Sequence, residues 1–302
     1  MGFLTIICSI ICMILIGVLL NYLNVLDSSD AEKLNKIVIN IGLPCLIFNA
    51  LYTADLSALP SFTILTVSTL MSSLIIGLIT YFILKLFSLD KKVIWSIVVV
   101  VVLGNTGFLG YPMCQGIFGN TGLVRAVFSD LATSITFILV SAILVLVFDG
   151  SIKSAIKKIV TFVPLWSIIL GIVFNLLSIP IINVGTTVIE YLSGLTIPII
   201  MISLGISLNL KGFKENFKEV VSVSAIKLII YPIIAFLILS VLSVSGLNLN
   251  VGVMEACMPS AMLGLVLAIN FNLDVDLTAD CIFTNTLISL ITMPIMFAFL
   301  IG

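Results

Sequence analysis

Apolar runs of similar length, separated by short polar joints, make up almost the whole chain. They cover residues 3–23, 33–52, 60–86, 93–118, 122–147, 160–178, 184–208, 219–243, 250–271 and 277–300. Each is close to the ~20 residues that a helix needs to cross the hydrocarbon of a bilayer. The joints hold most of the charges and turn formers, as in DSSDAEK, SLDKK, DGSIKSAIKK and NLKGFKENFKE. This spacing predicts an all-α polytopic membrane protein with ten transmembrane helices.

The fourth run carries Leu103-Gly-Asn-Thr-Gly-Phe-Leu-Gly-Tyr-Pro112, poor material for a continuous helix, because Gly costs about 1 kcal/mol and Pro about 3 kcal/mol relative to Ala. A break is expected here. Unwound backbone inside a membrane is tolerated only where protein buries it or where it lines a cavity, so the break implies a site, with Asn105 and Thr106 as its polar groups. The simpler alternative is a Pro112 kink with glycines that let helices pack closely. The ninth run repeats the pattern in Met258-Pro-Ser-Ala-Met-Leu-Gly264.

The two stretches occupy corresponding places. Pro44 in the second run and Pro198 in the seventh are 154 residues apart, Thr53-Ala-Asp-Leu56 matches Ser207-Leu-Asn-Leu210 at the same offset, and Gly104-Asn105 matches Pro259-Ser260 at 155. A duplicated unit of five spans must insert its copies with opposite topology. The reading is a 5+5 inverted repeat over residues 1–150 and 151–302, with Pro44, Pro112 and Pro198 as structural breaks. Paired interrupted helices in inverted halves point to a transporter site. Each break exposes a half-helix N-terminus that attracts an anion, while nearby carbonyls could hold a cation.

Composition narrows the class. With 61% hydrophobic and 9% charged residues, against about 25% charged in soluble domains, the chain is bound to lipid, and nothing suggests nucleic-acid binding. It has no His, which removes the usual proton shuttle near neutral pH. The cysteines, Cys8, Cys12, Cys45, Cys114, Cys257 and Cys281, fall in apolar runs without metal-ligand spacing and read as small buried hydrophobes; no metal or cofactor is implied. Phe3 to Leu23 lacks a basic flank and a cleavage site, so it reads as a retained span.

Basic residues set the orientation, because Lys-rich and Arg-rich connections stay in the cytoplasm. Taking alternate joints, one side receives Lys33, Lys36, Lys85, Lys91, Lys92, Lys153, Lys157, Lys158, Lys211, Lys214 and Lys218, and the other only Arg125. Both termini are then expected outside.

Three ionisable residues fall inside runs: Asp130, Lys227 and Glu255. Such groups are costly in a membrane and are functional candidates by default. Each has a bland alternative. Lys227 could snorkel toward the cytoplasmic interface, Asp130 could pair locally with Arg125, and Glu255 could sit at the outer mouth.

With these motifs in view, the whole chain resembles the auxin efflux carrier family, part of a superfamily that includes the sodium-bile acid symporters. The resemblance rests on Leu34-Asn-Lys-Ile-Val-Ile-Asn-Ile-Gly-Leu-Pro-Cys-Leu-Ile-Phe48, on Gly104 to Pro112, on Lys227-Leu-Ile-Ile-Tyr-Pro232, and on Pro259 with Val266-Leu-Ala268. It implies that helices four and nine cross at their breaks, with a carboxylate held near Gly104, Asn105, Thr106, Pro259 and Ser260. Plant members have a proline where this chain has Gly104, and a long hydrophilic loop where it has only Asp149 to Lys158. Those departures resemble a compact prokaryotic member of the malate or malonate permease type, for which a small organic acid is the implied substrate.

The expected function is a secondary active transporter for a small organic anion in the plasma membrane, working by alternating access around the helix-four/helix-nine crossing with H+ as coupling ion. Asp130, Lys227 and Glu255 are the coupling or charge-bearing candidates. The alternatives are a sodium-coupled importer, in which Na+ is the coupling ion, and a channel. No nucleotide-binding or hydrolase motif occurs, so an enzyme is not expected. A homodimer is an assembly left open.

Overall fold

The computed structural model describes residues 3–87, 89–148, 162–207 and 217–302. The connection Asp149 to Lys158 and the basic residues Lys211 and Lys214 lie outside the described residues. What is described is helical throughout, in thirteen α-helices, with no strand among the described residues beyond a single antiparallel bridge. In order these are α1 Phe3–Tyr22, α2 Ser28–Ile37, α3 Leu43–Tyr52, α4 Leu59–Leu86, α5 Lys91–Val102, α6 Tyr111–Phe148 and α7 Val163–Leu176. Then follow α8 Asn183–Ser207, α9 Phe217–Ala225, α10 Tyr231–Val241, α11 Gly246–Ala256, α12 Leu263–Asn270 and α13 Val275–Ile301.

Seven stretches of continuous helix are long and apolar enough to cross a membrane: Thr5–Tyr22, Ser28–Tyr52, Leu56–Leu86, Thr106–Phe148, Asn183–Ser207, Glu219–Val241 and Val275–Ile301. The runs at 93–118 and 250–271 instead divide, into α5 and the start of Thr106–Phe148, and into α11 and α12. The run at 160–178 appears as the 14-residue α7. Gly119, at φ 67°, turns the chain within α6. Exposed side chains on the long helices are themselves apolar, among them Leu19, Phe82, Leu146 and Ile291, the reverse of a water-facing surface.

Proline placement explains three wide turns. Val38–Gly42, Thr106–Gly110 and Ile226–Ile230 are single π-turns, each followed by a residue and then Pro44, Pro112 or Pro232. Proline lacks an N–H and its ring crowds the carbonyl four residues back. A π-turn widens the helix at that point, and the residue before each proline bonds five residues back: Leu43 to Val38, Tyr111 to Thr106 and Tyr231 to Ile226. Thus Pro44, expected at a break, sits in a helix that continues through a π-turn. Pro198 lies inside the continuous α8, and Pro112 follows a break whose non-helical residues are Leu103 to Asn105.

Acidic caps hold several helix starts. Asp27 and Asp30 form a reciprocal capping box on α2, Asp90 caps α5, and Asp274 caps α13. Hydrogen bonds from the Ser29 side chain and from the Ser29 and Asp30 amides hold the Asp27 carboxyl below its usual range. Its contribution to the cap is present at neutral pH and is lost as pH falls through that lowered value.

The residues group into two compact units. Unit 1 comprises Met1–Ala58, Pro112–Val127 and Lys158–Lys211, and unit 2 comprises Leu59–Tyr111, Phe128–Lys157 and Gly212–Gly302. Each draws residues from both sequence halves. In unit 1, α1 and α8 meet at Gly17 and Gly205: a Cβ on Gly17 would come within 2.9 Å of the Gly205 Cα and run into the Ile202 carbonyl, and the relation is mutual at Gly205. Small residues at such contacts let membrane helices approach closely. Asn175 of α7 donates through Nδ2 to the carbonyls of Leu51, Tyr52 and Ala54 at 2.8–2.9 Å, tying the end of α3. Cys8 and Cys12 are exposed on α1 rather than buried as the composition suggested, whereas Cys114, Cys257 and Cys281 are buried.

Unit 2 is built around α5. Val98 to Leu103 pack with Phe137, Val223, Ala256 and Ile282 in one apolar cluster. Beside it α4 presents buried hydroxyls. Thr69 shares a hydrogen bond with Ser129 at 3.2 Å, Ser73 with the Tyr231 hydroxyl at 2.9 Å, and Thr66 donates to the Phe128 carbonyl at 2.7 Å. Replacing Gly205 with Leu should force α1 off α8. Overpacking of this kind costs about 1–3 kcal/mol, so the variant should melt several degrees lower in detergent, while Gly194→Leu, where a Cβ meets nothing within 4 Å, should not.

Candidate functional site

The site begins with two interruptions that complete one another. α5 ends at Val102, Leu103 turns extended (φ −95°, ψ 106°), and helix resumes at Thr106. α11 ends at Ala256, and after Pro259 and Ser260 the chain re-enters helix at Leu263. Gly104 and Ser260 form an antiparallel bridge: the Asn105 amide donates to the Pro259 carbonyl at 2.7 Å, and the Ala261 amide donates to the Leu103 carbonyl at 2.9 Å. Each unwound segment thus satisfies backbone groups of the other. Left unpaired away from water, each group would cost several kcal/mol.

The glycines of the first stretch serve different ends. At Gly104 a Cβ would meet only ordinary contacts, 3.4 Å from the Lys227 Nζ and 3.5 Å from Thr106 Cγ2. Gly107 faces open space. Gly110 is the constrained one, because a Cβ there would overlap the carboxylate of Glu255, whose Cδ would lie 2.7 Å away.

The three ionisable residues of the apolar runs all belong to unit 2 and flank the paired segments. Asp130, half-buried, accepts hydrogen bonds from the hydroxyls of Thr106 and of Tyr111, the latter at 2.8 Å. Thr106 also reaches the Thr133 hydroxyl at 3.3 Å and the Gly104 carbonyl at 3.4 Å. The expected alternative of a local pair with Arg125 is not what Asp130 makes; Arg125 donates to the Thr121 carbonyl at 2.8 Å. Lys227 is 0% exposed, so it does not snorkel. Its Nζ donates to the Val101 carbonyl at 3.0 Å and stands 4.4 Å from the Tyr231 ring centroid. Glu255 is buried against Gly110 rather than placed at a solvent-facing mouth.

Of the remaining candidates, Thr106, Pro259 and Ser260 are buried and Asn105 is half-buried. Asn285 on α13, which sequence reasoning passed over, completes the group. It is 0% exposed, donates through Nδ2 to the Ser260 hydroxyl at 2.8 Å, and leaves its buried Oδ1 without a hydrogen-bond partner among the described residues. Its signal was present as an amide within an apolar run. Tyr111, Thr133, Tyr231 and Ser73 were likewise missed, although both tyrosines lay inside the quoted motifs.

A helical chain with several apolar spans and a buried polar cluster around paired backbone interruptions is an integral membrane protein of the transporter class. The chain belongs to the auxin efflux carrier-like family described as membrane transport protein, whose family model matches residues 3–151 and 147–297. It is 41% identical over 287 residues, 95% of each chain, to an uncharacterized transporter of Methanothermobacter thermautotrophicus. It is 33% identical over 292 residues, again 95% of each chain, to an uncharacterized transporter of Methanocaldococcus jannaschii. The uncharacterized transporter YfdV of Escherichia coli is 22% identical over 274 residues, 87% of this chain and 86% of that one.

The Gly110–Glu255 contact makes a direct prediction. Gly110→Ala should lower the melting temperature of the purified protein, and adding Glu255→Ala should recover part of the loss, since contacting residues are not additive. Additive losses would show that the two do not touch.

Proposed function

We propose that the protein is a secondary active transporter for a small organic anion such as a mono- or dicarboxylate. The observation that carries this reading is the pairing of two backbone interruptions, each followed at once by a helix start, at Thr106 and at Leu263. Free N–H groups and the helix dipole favour negative charge at such starts, and in broken-helix carriers these ends contact the anionic part of the substrate. Asn105, Ser260 and Asn285 supply side-chain hydrogen bonds beside them, with Gly104 and Pro259 shaping the backbone.

In this reading the chain has ten spans as two inverted five-span halves, 1–150 and 151–302, and spans four and nine cross at the breaks. It sits in the plasma membrane with both termini outside, and alternating access occurs around the crossing. Asp130 couples transport to protons. As a carboxylate it accepts from both Thr106 and Tyr111; once protonated it gains a donor, and where that donor bonds one of the two hydroxyls, the hydrogen of that hydroxyl turns to another acceptor. Thr106 is the first residue of the resumed helix, so this rearrangement reaches the substrate end directly.

A binding screen of mono- and dicarboxylates on purified protein, with Asn105→Ala as control, tests the substrate class. In proteoliposomes the bound acid should show saturable counterflow; unsaturable electrogenic flux would favour a channel. Asp130→Asn should abolish pH-driven uptake while leaving binding of the acid measurable. Unchanged pH dependence would remove Asp130 from the mechanism.

A further inference from the structure

We infer that Lys227 is a built-in cation, occupying the place where a carrier with broken helices would otherwise hold a coupling metal ion. The inference rests on the carrier reading above and concerns its coupling ion. In broken-helix carriers, unwound carbonyls and half-helix C-terminal ends coordinate the cation. The corresponding end here is that of α5, where the final carbonyls carry the negative pole of the helix. One of them, on Val101, is taken by the Lys227 Nζ at 3.0 Å.

The surroundings offer the Nζ further partners. The Nζ lies over the face of Tyr231 at 4.4 Å, an arrangement that attracts cations and strengthens when desolvated. The ring is fixed by the hydrogen bond of its hydroxyl to Ser73 at 2.9 Å. Gly104, at the bridge itself, passes close enough that a Cβ would stand 3.4 Å from the Nζ. Among the described residues Lys227 forms no ion pair. Its whole length is enclosed, so the charge is delivered to the break from α9–α10 by the wide turn at Ile226–Ile230. A tethered ammonium there leaves no position for Na+ at this helix end and makes the carrier independent of sodium.

The test uses the full-length purified protein and needs no substrate. Thermal unfolding is followed in chloride salts of choline, sodium and n-propylammonium at equal ionic strength. The wild type should melt at the same temperature in all three. Lys227→Ala, which opens room for a small cation, should melt lower in choline and be raised saturably by propylammonium or Na+. Lys227→Gln keeps the volume and a donor for the Val101 carbonyl while removing the charge, so it should melt independently of the cation. Lys227→Ser, uncharged and short, provides a second variant with room for a cation if the alanine form does not accumulate, and should gain the same saturable response to Na+. A saturable sodium effect on the wild type, or no cation effect on folded Lys227→Ala or Lys227→Ser, would overturn the inference. Uptake of whichever acid the screen identifies should be equal in sodium and choline media; absence of any bound acid would count against the carrier reading and leave the unfolding result to stand alone.

Discussion

An amide or carbonyl without a partner is costly wherever water is absent, and a helix interrupted in mid-membrane exposes several at once. Unit 2 meets that constraint by interrupting two helices and setting the open segments side by side. The amide of Asn105 and the carbonyl of Pro259 satisfy each other, as do the amide of Ala261 and the carbonyl of Leu103. Neither interruption is stable without the other, so the interruptions are best understood as one element contributed by distant parts of the sequence.

That shared element organises what lies around it. The two resumed helices begin beside the bridge, the end of α5 is met by Lys227, and the hydroxyl of Thr106 ties the restart to Asp130. The wide turns preceding Pro112 and Pro232 place residues of the same cluster, Tyr111 and Lys227, without disrupting the helices that carry them. Proline here redirects helices more than it ends them. Interruption comes instead from non-helical residues at Leu103 to Asn105 and at Pro259 to Ser260.

Much of this arrangement was legible in the residues. Gly, Pro, Asn and Ser inside otherwise apolar runs marked both interruptions, because no continuous helix in lipid uses such residues without a reason. The charged candidates were visible on the same ground, and all three stand around the paired segments. Where each side chain pointed was not legible: Lys227 and Glu255 had plausible interfacial positions, and only packing against Val101 and Gly110 decides otherwise. Pro44 and Pro198 read as breaks because a proline's consequence depends on whether the preceding turn can widen or the helix can bend. Asn285 escaped notice because one amide in a long apolar run has no pattern, and its meaning comes from Ser260, distant in sequence. The grouping into two units, each drawing on both halves, depends on contacts that hydropathy does not encode.

The central claim is that Gly104 and Ser260 face each other across an antiparallel pair. Directly opposed residues in such a pair hold their Cβ atoms about 4.5–5.5 Å apart, near the reach of a disulfide. With the native cysteines replaced, Gly104→Cys and Ser260→Cys introduced together should form an intramolecular disulfide under mild oxidation, detected by peptide mapping. Folded protein in which both thiols stay free under the same treatment would contradict the account.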